Sequence, residues 1–215
     1  MAIVTISRQE GSYGEVIGAI LAKKMGLELI TREKVHSLAL SCDPEYSEAC
    51  ADYESEHGPG FFERIFFDKT SYTSLFESLT YEQASRGNVV IIGRGAQMVL
   101  QHVPGVFKLR VVAPRLVRVK RVMARYGLSL GRAEDFVRKH DHERRHLETS
   151  VFGMDPGDWS LYDIIINTAH FESGSAAEVV ARSGKTEESR VCKKDRNDRT
   201  EKTHPGCGSK CGSDR

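Results

Sequence analysis

The sequence predicts an α/β protein built on a parallel sheet with helices on both faces. Three observations lead there. Short apolar runs rich in β-branched residues recur at Ala2–Ile6, Asn88–Ile92, Val106–Ala113 and Asp163–Asn167, each of strand length. Segments with helical spacing separate them. The strand runs are continuously apolar, the pattern of strands covered on both sides.

Each element has a local reason. From Glu15 the apolar positions Val16, Ile17, Ile20, Leu21 and Met25 recur at helical spacing, and Gly26 supplies a C-cap. Arg32–Leu40 reads as a second helix and Ser71–Arg86 as a third, stopped by Gly87. Arg115–Tyr126 is a helix closed by Gly127. Arg132–Ser150 is another, with Ser129 near its start, and a short helix is expected around Ala176–Ala181. Ligands of parallel sheets gather at the carboxyl ends of the strands, so the loops after the first, second and fourth strands are the places to look for a site.

The 215 residues suit one domain, expected over 1–182. Five unevenly placed cysteines form no disulfide framework, which reads as a reducing cytoplasm. No apolar run is long enough to span a bilayer, and no secretory signal is evident at the N-terminus. Net charge is +1, so it names no partner, but charge is uneven along the chain. Ser41–Glu63 carries seven acids and no Lys or Arg. Lys108–Arg145 carries twelve Lys or Arg against four acids, a solvated face or an attraction for a polyanion. Residues 183–215 hold few large apolar side chains and read as a disordered charged tail.

The stretch S-R-Q-E-G-S-Y-G-E at Ser7–Glu15 joins the first strand to the first helix, where a phosphate-binding loop would sit. It lacks the lysine expected after its last glycine. The cradle is plausible without it, because Gly11 and Gly14 free the backbone and the helix start presents unpaired amides, with the Ser12 hydroxyl beside them. The missing charge could come from an arginine, whose planar fork binds phosphate with two donors. Arg8, Arg32 and Arg94 flank strand ends or helix starts. A tight structural turn explains the loop pattern equally well.

Thr5–Gly14, I-I-G-R-G-A-Q-M at Ile91–Met98, R-V-V-A-P from Arg110, and F-G-M-D followed by L-Y-D-I-I-I-N-T over Phe152–Thr168 resemble the cytidylate-kinase-like family of P-loop proteins. The resemblance covers about residues 2–180 in the expected order. It implies a P-loop NTPase-like three-layer fold, an acceptor-binding helical insertion at about 32–70 and an arginine-rich lid at about 126–158. It implies ATP with Mg²⁺, small-molecule nucleotides as partners, and phosphoryl transfer to a nucleoside monophosphate such as CMP or dCMP. Ser7, Arg8, Gly11, Ser12, Tyr13, Gly14 and Glu15 would hold the donor phosphates, and Arg32 and Arg94 the acceptor phosphate. Arg118 and Arg144 would contact the donor phosphates, Asp141 would orient an arginine, and Ser12 and Glu15 are the candidate Mg²⁺ ligands.

The sequence departs from the family pattern at three points. Tyr13 stands where a second glycine is usual, Glu15 where a basic residue is common, and Thr31 where an aspartate often precedes the arginine matched by Arg32. These departures leave open a second reading, a nucleotide-binding protein with little turnover. RNA binding through the basic segment is a third, weakened by the lack of a basic-aromatic platform. On the helix from Arg115, Arg118, Arg121 and Arg125 share one face, and Leu116, Val119 and Met123 another that would face the core. An i, i+4 pair of Asp141 with Arg145 on an exposed surface is the bland alternative for the next helix.

Overall fold

The computed structural model describes residues 2–42 and 69–183. The acidic excursion with Phe61, Phe62, Phe66 and Phe67, most of the expected insertion and the tail from 184 onward lie outside the described residues.

Five parallel strands form one sheet in the order β2-β3-β1-β4-β5. They are β1 (Ile3–Arg8), β2 (Glu28–Ile30), β3 (Val89–Ile92), β4 (Val106–Val112) and β5 (Ile164–Asn167). The helices are α1 (Gly14–Met25), α2 (Arg32–Cys42), α3 (Lys69–Arg86), α4 (Ala96–Val99), α5 (Arg115–Tyr126), α6 (Leu130–Phe152) and α7 (residues 173–183). A 3₁₀ turn at Trp159–Leu161 precedes β5.

Four strands lie where the apolar runs predict them. The fifth, β2, is too short for sequence periodicity to reveal. It exists because Glu28, Leu29 and Ile30 pair in register with Val89, Val90 and Ile91. Strand β1 runs two residues further than expected, because Ser7 and Arg8 pair with Arg110 and Val111. That extension carries Arg8 to the edge of the sheet before the chain leaves it.

Alternation along the strands divides the core into two layers. Val4, Ile6, Val90, Ile92, Leu109 and Val111 face α1 and α7, meeting Ile17, Leu21, Ala177 and Val180. Val89, Ile91 and Val106 face the other way, against Phe76, Leu79 and Leu100. Fully burying each such side chain contributes roughly 1.5–3 kcal/mol. Together these layers fix the position of the loops at the carboxyl edge.

On α5 the expected core face is partly corrected. Val119 and Val122 are buried, packing on Ala133 and Val137 of α6, whereas Leu116 is 69% exposed. The contact with α6 lies one position around the helix, so Val122 takes the place expected for Leu116. Arg118 is among the residues α5 turns inward.

Two glycines test the backbone argument. Gly26 (φ +66) caps α1 with open space around it, and Gly95 (φ +69) caps α4 with the Phe152 ring 2.1 Å from where a Cβ would stand. Gly26→Ala is expected to cost about 1 kcal/mol from the left-handed backbone alone. Gly95→Ala is expected to cost about 1–3 kcal/mol more, from the added collision. Denaturant melts of the two variants against wild type measure the difference.

Candidate active site

The loop from Gln9 to Tyr13 links β1 to α1 and is anchored at both ends. Gln9 N donates to Val111 O at 3.1 Å, and Ala113 N donates to Gln9 Oε1 at 3.2 Å. The Ser12 hydroxyl donates to Gln9 O at 2.7 Å, and Thr168 Oγ1 donates to Ser12 O at 2.9 Å. The amides of Gly14, Glu15 and Val16 open α1 and have no helical carbonyl to bond, so the partial positive charge of the helix start faces the loop. Gly11 (φ +72) passes so near Arg118 that a Cβ would stand 2.8 Å from its carbonyl oxygen.

Tyr13 adopts φ 66, a left-handed conformation that costs a non-glycine residue roughly 1–2 kcal/mol. The Arg121 guanidinium lies 4.1 Å from the centre of its ring, and that contact contributes about 0.5–2 kcal/mol in return. Arg121 is itself held by Thr168, through Nη1 to Oγ1 at 2.9 Å and Nη2 to the carbonyl at 2.7 Å.

Besides Arg121, three arginines reach the loop, each paired with a carboxylate. Arg118 is nearly buried: its Nε donates to Ala113 O at 2.9 Å, and its Nη1 to Glu10 O at 3.1 Å and Asp141 Oδ2 at 2.6 Å. The other Asp141 oxygen accepts from Glu10 N at 3.0 Å. Arg144 Nη2 pairs with Glu10 Oε2 at 2.5 Å, while its Nη1 is buried with no hydrogen-bond partner among the described residues. Arg8 Nε pairs with Glu15 Oε1 at 2.8 Å. Burial, followed by the Arg144 charge, lowers the pKa of Arg8. Burial alone would raise Glu15, but the Arg8 charge and hydrogen bond outweigh it and hold that carboxyl below its ordinary value.

A pocket of about 300 Å³ opens beside these groups, lined by Ser7, Arg8, Arg110, Arg144 and Glu148 among others. Arg110 Nη1 donates to Ser7 Oγ and to Tyr162 Oη, both at 2.9 Å, and has no carboxylate partner among the described residues. The Glu148 carboxylate accepts from Gln97 Nε2 at 3.2 Å. Burial raises its pKa, against the opposing Gln97 bond. The exposed Asp141–Arg145 pair does not form: Asp141 goes to Arg118, and Arg145 pairs with Asp155 at 2.6 Å.

Arg32 and Arg94 lie across the sheet, at the ends of β2 and β3. Arg94 adopts φ 59 between Gly93 and Gly95, and its guanidinium lies 4.8 Å from the centre of the Phe76 ring. Desolvation, followed by the Arg94 charge, lowers the pKa of Arg32 to about 10. The two guanidiniums therefore share one neighbourhood, outside the pocket lining but within range of the Arg8 and Arg144 charges. Ser12 and Glu15 do not fit a preformed Mg²⁺ seat. Ser12 is fully buried with its hydroxyl turned back into the loop, and Glu15 gives an oxygen to Arg8. Among the described residues no three His, Cys, Asp or Glu side chains gather around a metal position, and no helix is long and apolar enough to cross a membrane.

The sequence model of the cytidylate kinase-like family matches residues 3–170. The chain belongs to the cytidylate kinase-like family. A cytidylate kinase of Archaeoglobus fulgidus is 25% identical over 194 residues, 89% of this chain and 99% of that protein. One from Staphylothermus marinus is 34% identical over 91 residues, a match that spans 41% of this chain and 50% of that protein. A crystal structure from Eubacterium ventriosum superposes with a TM-score of 0.68 at 19% identity, covering 86% of this chain and 99% of that one. The fold is an α/β one, an all-parallel five-stranded sheet with helices on both faces.

Around the loop and the pocket, the structure adds Gln9, Arg110, Arg121, Glu148, Tyr162 and Thr168 to the residues expected from sequence. Arg110 carried a signal, a charge inside a strand that is apolar except for it and Lys108. Tyr162 and Glu148 carried none, because only the packing of α6 and the 153–162 segment over the sheet brings them to Arg110.

Removing the buried Arg118 leaves Asp141 and two carbonyls without their donor. Arg118→Ala is expected to destabilise the fold by about 3–5 kcal/mol, read from urea midpoints. Glu148 has the opposite sign. A carboxyl whose pKa rises on folding destabilises the folded state once ionised. That cost is absent below its unfolded value of about 4.3 and complete above the raised value. Glu148→Gln is therefore expected to raise the melting temperature at pH 7–8, with the gain vanishing near pH 4.

Proposed function

We propose that this protein transfers a phosphoryl group from ATP, carried with its Mg²⁺, to a nucleoside monophosphate, with CMP or dCMP as the first candidates. The observation that carries the reading is the pocket at the carboxyl edge of the sheet. There Ser7 and Gln9 at the end of β1 and the guanidiniums of Arg8, Arg110 and Arg144 line one cavity, and Arg144 Nη1 is buried with no hydrogen-bond partner among the described residues. A buried, unsatisfied donor is costly, and a phosphate oxygen would satisfy it. Family membership and the cytidylate kinases among its relatives support nucleotide kinase chemistry.

In this reading the residues divide the work. Phosphoryl transfer depends on positioning and on charge stabilisation, and needs no covalent nucleophile. Gly11, Ser12, Tyr13 and Gly14 shape the cradle, with Ser7 beneath it. Arg144 contacts the donor phosphates. Arg118, whose Nε and Nη1 already bind protein acceptors, acts by fixing the loop, and Asp141 orients it. Arg32 and Arg94 take the acceptor phosphate.

The arrangement also favours a second reading, nucleotide binding with little turnover. Glu10 and Glu15 hold two of the arginines that would otherwise meet phosphate, and no lysine stands in the loop.

Incubating the chain with Mg-ATP and each nucleoside monophosphate separates the two. Diphosphate product identifies the kinase and its acceptor, whereas ATP binding with no product from any acceptor selects the second reading. Arg144→Ala and Arg94→Ala are each expected to lower kcat/KM by about 10²-fold, with little change in melting temperature.

A further inference from the structure

The loop has no lysine after its last glycine, and one cationic side chain lies against the start of α1. Arg8 enters from the end of β1. Its stem crosses the first residue of α1, where a Cβ on Gly14 would stand 2.5 Å from Arg8 Cβ and 2.9 Å from Cγ. Its head reaches the turn after β3, where a Cβ on Gly93 would stand 2.0 Å from Arg8 Nη1. Two glycines far apart in the chain thus border one arginine.

Glu15 takes only Nε, so Nη1 and Nη2 have no hydrogen-bond partner among the described residues. The side chain is 13% exposed and lines the pocket that also holds Arg144. Two guanidiniums held near each other at a desolvated site repel, and an anion between them removes that repulsion. Arg8 also spans the gap between the loop and the Gly93 turn that bears Arg94, which joins the donor side of the sheet to the acceptor side.

We propose that Arg8 supplies the phosphate-binding cation that a lysine at the start of α1 would otherwise supply, with Glu15 as its positioning residue and Gly14 and Gly93 as the space it needs. The ligand is the terminal phosphate of a nucleotide, or pyrophosphate as its fragment. The assignment rests on the phosphate-binding reading of the pocket. It also accounts for Glu15: a carboxylate at that position fixes the arginine's Nε and leaves its fork open.

The test moves the charge back. Full-length wild type, Arg8→Ala, Arg8→Lys and the double variant Arg8→Ala/Glu15→Lys, which sets a lysine directly after the last glycine of the loop, are titrated calorimetrically with ATP and with inorganic pyrophosphate, after circular dichroism shows each to be folded. Arg8→Ala is expected to weaken binding at least about tenfold, the loss of a charge-assisted contact, and the double variant to recover most of it. Arg8→Ala binding as wild type does, or a folded double variant that recovers nothing, overturns the assignment while leaving the pocket's function standing. Wild type that binds neither ligand overturns both. If Arg8→Ala does not fold, the wild-type protein carries the test by nitrogen-15 NMR. The Arg8 Nε–H resonance, assigned by its loss in Arg8→Lys, is expected to shift at saturating pyrophosphate, and an unmoved resonance overturns the proposal.

Discussion

The site depends on the buried Arg118 guanidinium. It joins three parts of the chain: the loop after β1 through Glu10, the strand-to-helix turn after β4 through Ala113, and α6 through Asp141. Asp141 returns the contact by accepting from the Glu10 amide. A charge removed from water needs such complete pairing, because an unpaired one costs several kcal/mol. Once paired, it fixes the loop against two helices, and the positions of Arg144 on α6 and Arg121 on α5 follow from that anchor.

Charge balance is the second organising feature. The basic segment from Lys108 to Arg145 is not a uniform cationic surface. Arg118 and Arg121 turn inward to the loop, and the acids nearest to it are distributed one to each of Arg8, Arg118 and Arg144. Such pairing holds flexible side chains in place without fixing what they bind, since a phosphate can take over a carboxylate's hydrogen bonds. The same pairing accommodates either efficient transfer or tight holding of a nucleotide.

Much of the fold was legible because burial on both faces of a parallel sheet leaves continuous apolar strands. The helix ends were legible because Gly26 and Gly127 adopt the left-handed conformation that glycine permits most easily. The candidate site was legible only in part. The loop, Arg8 and Arg94 could be named from residue type and position at strand ends, whereas Arg118 and Arg144, inside helices, were named only through the family resemblance. Their partners could not. An i, i+4 rule paired Asp141 with Arg145, while tertiary packing brought Arg118 from 23 residues away. Strand β2 escaped notice because three residues show no period, and their pairing with β3 is what makes them a strand.

The sequence by itself determined the alternation of strands and helices, the loop at the end of β1 and the absence of a lysine in it. These are local properties, set by side-chain volume, backbone freedom and spacing. Tertiary structure alone decided where the Arg8 side chain lies. Arg8 lies between Gly14 and Gly93 because β1 and β3 are neighbours in register and both end at the same edge. Contacts between residues 8, 14 and 93 arise from sheet order, and sheet order depends on long-range burial that no short stretch of sequence encodes.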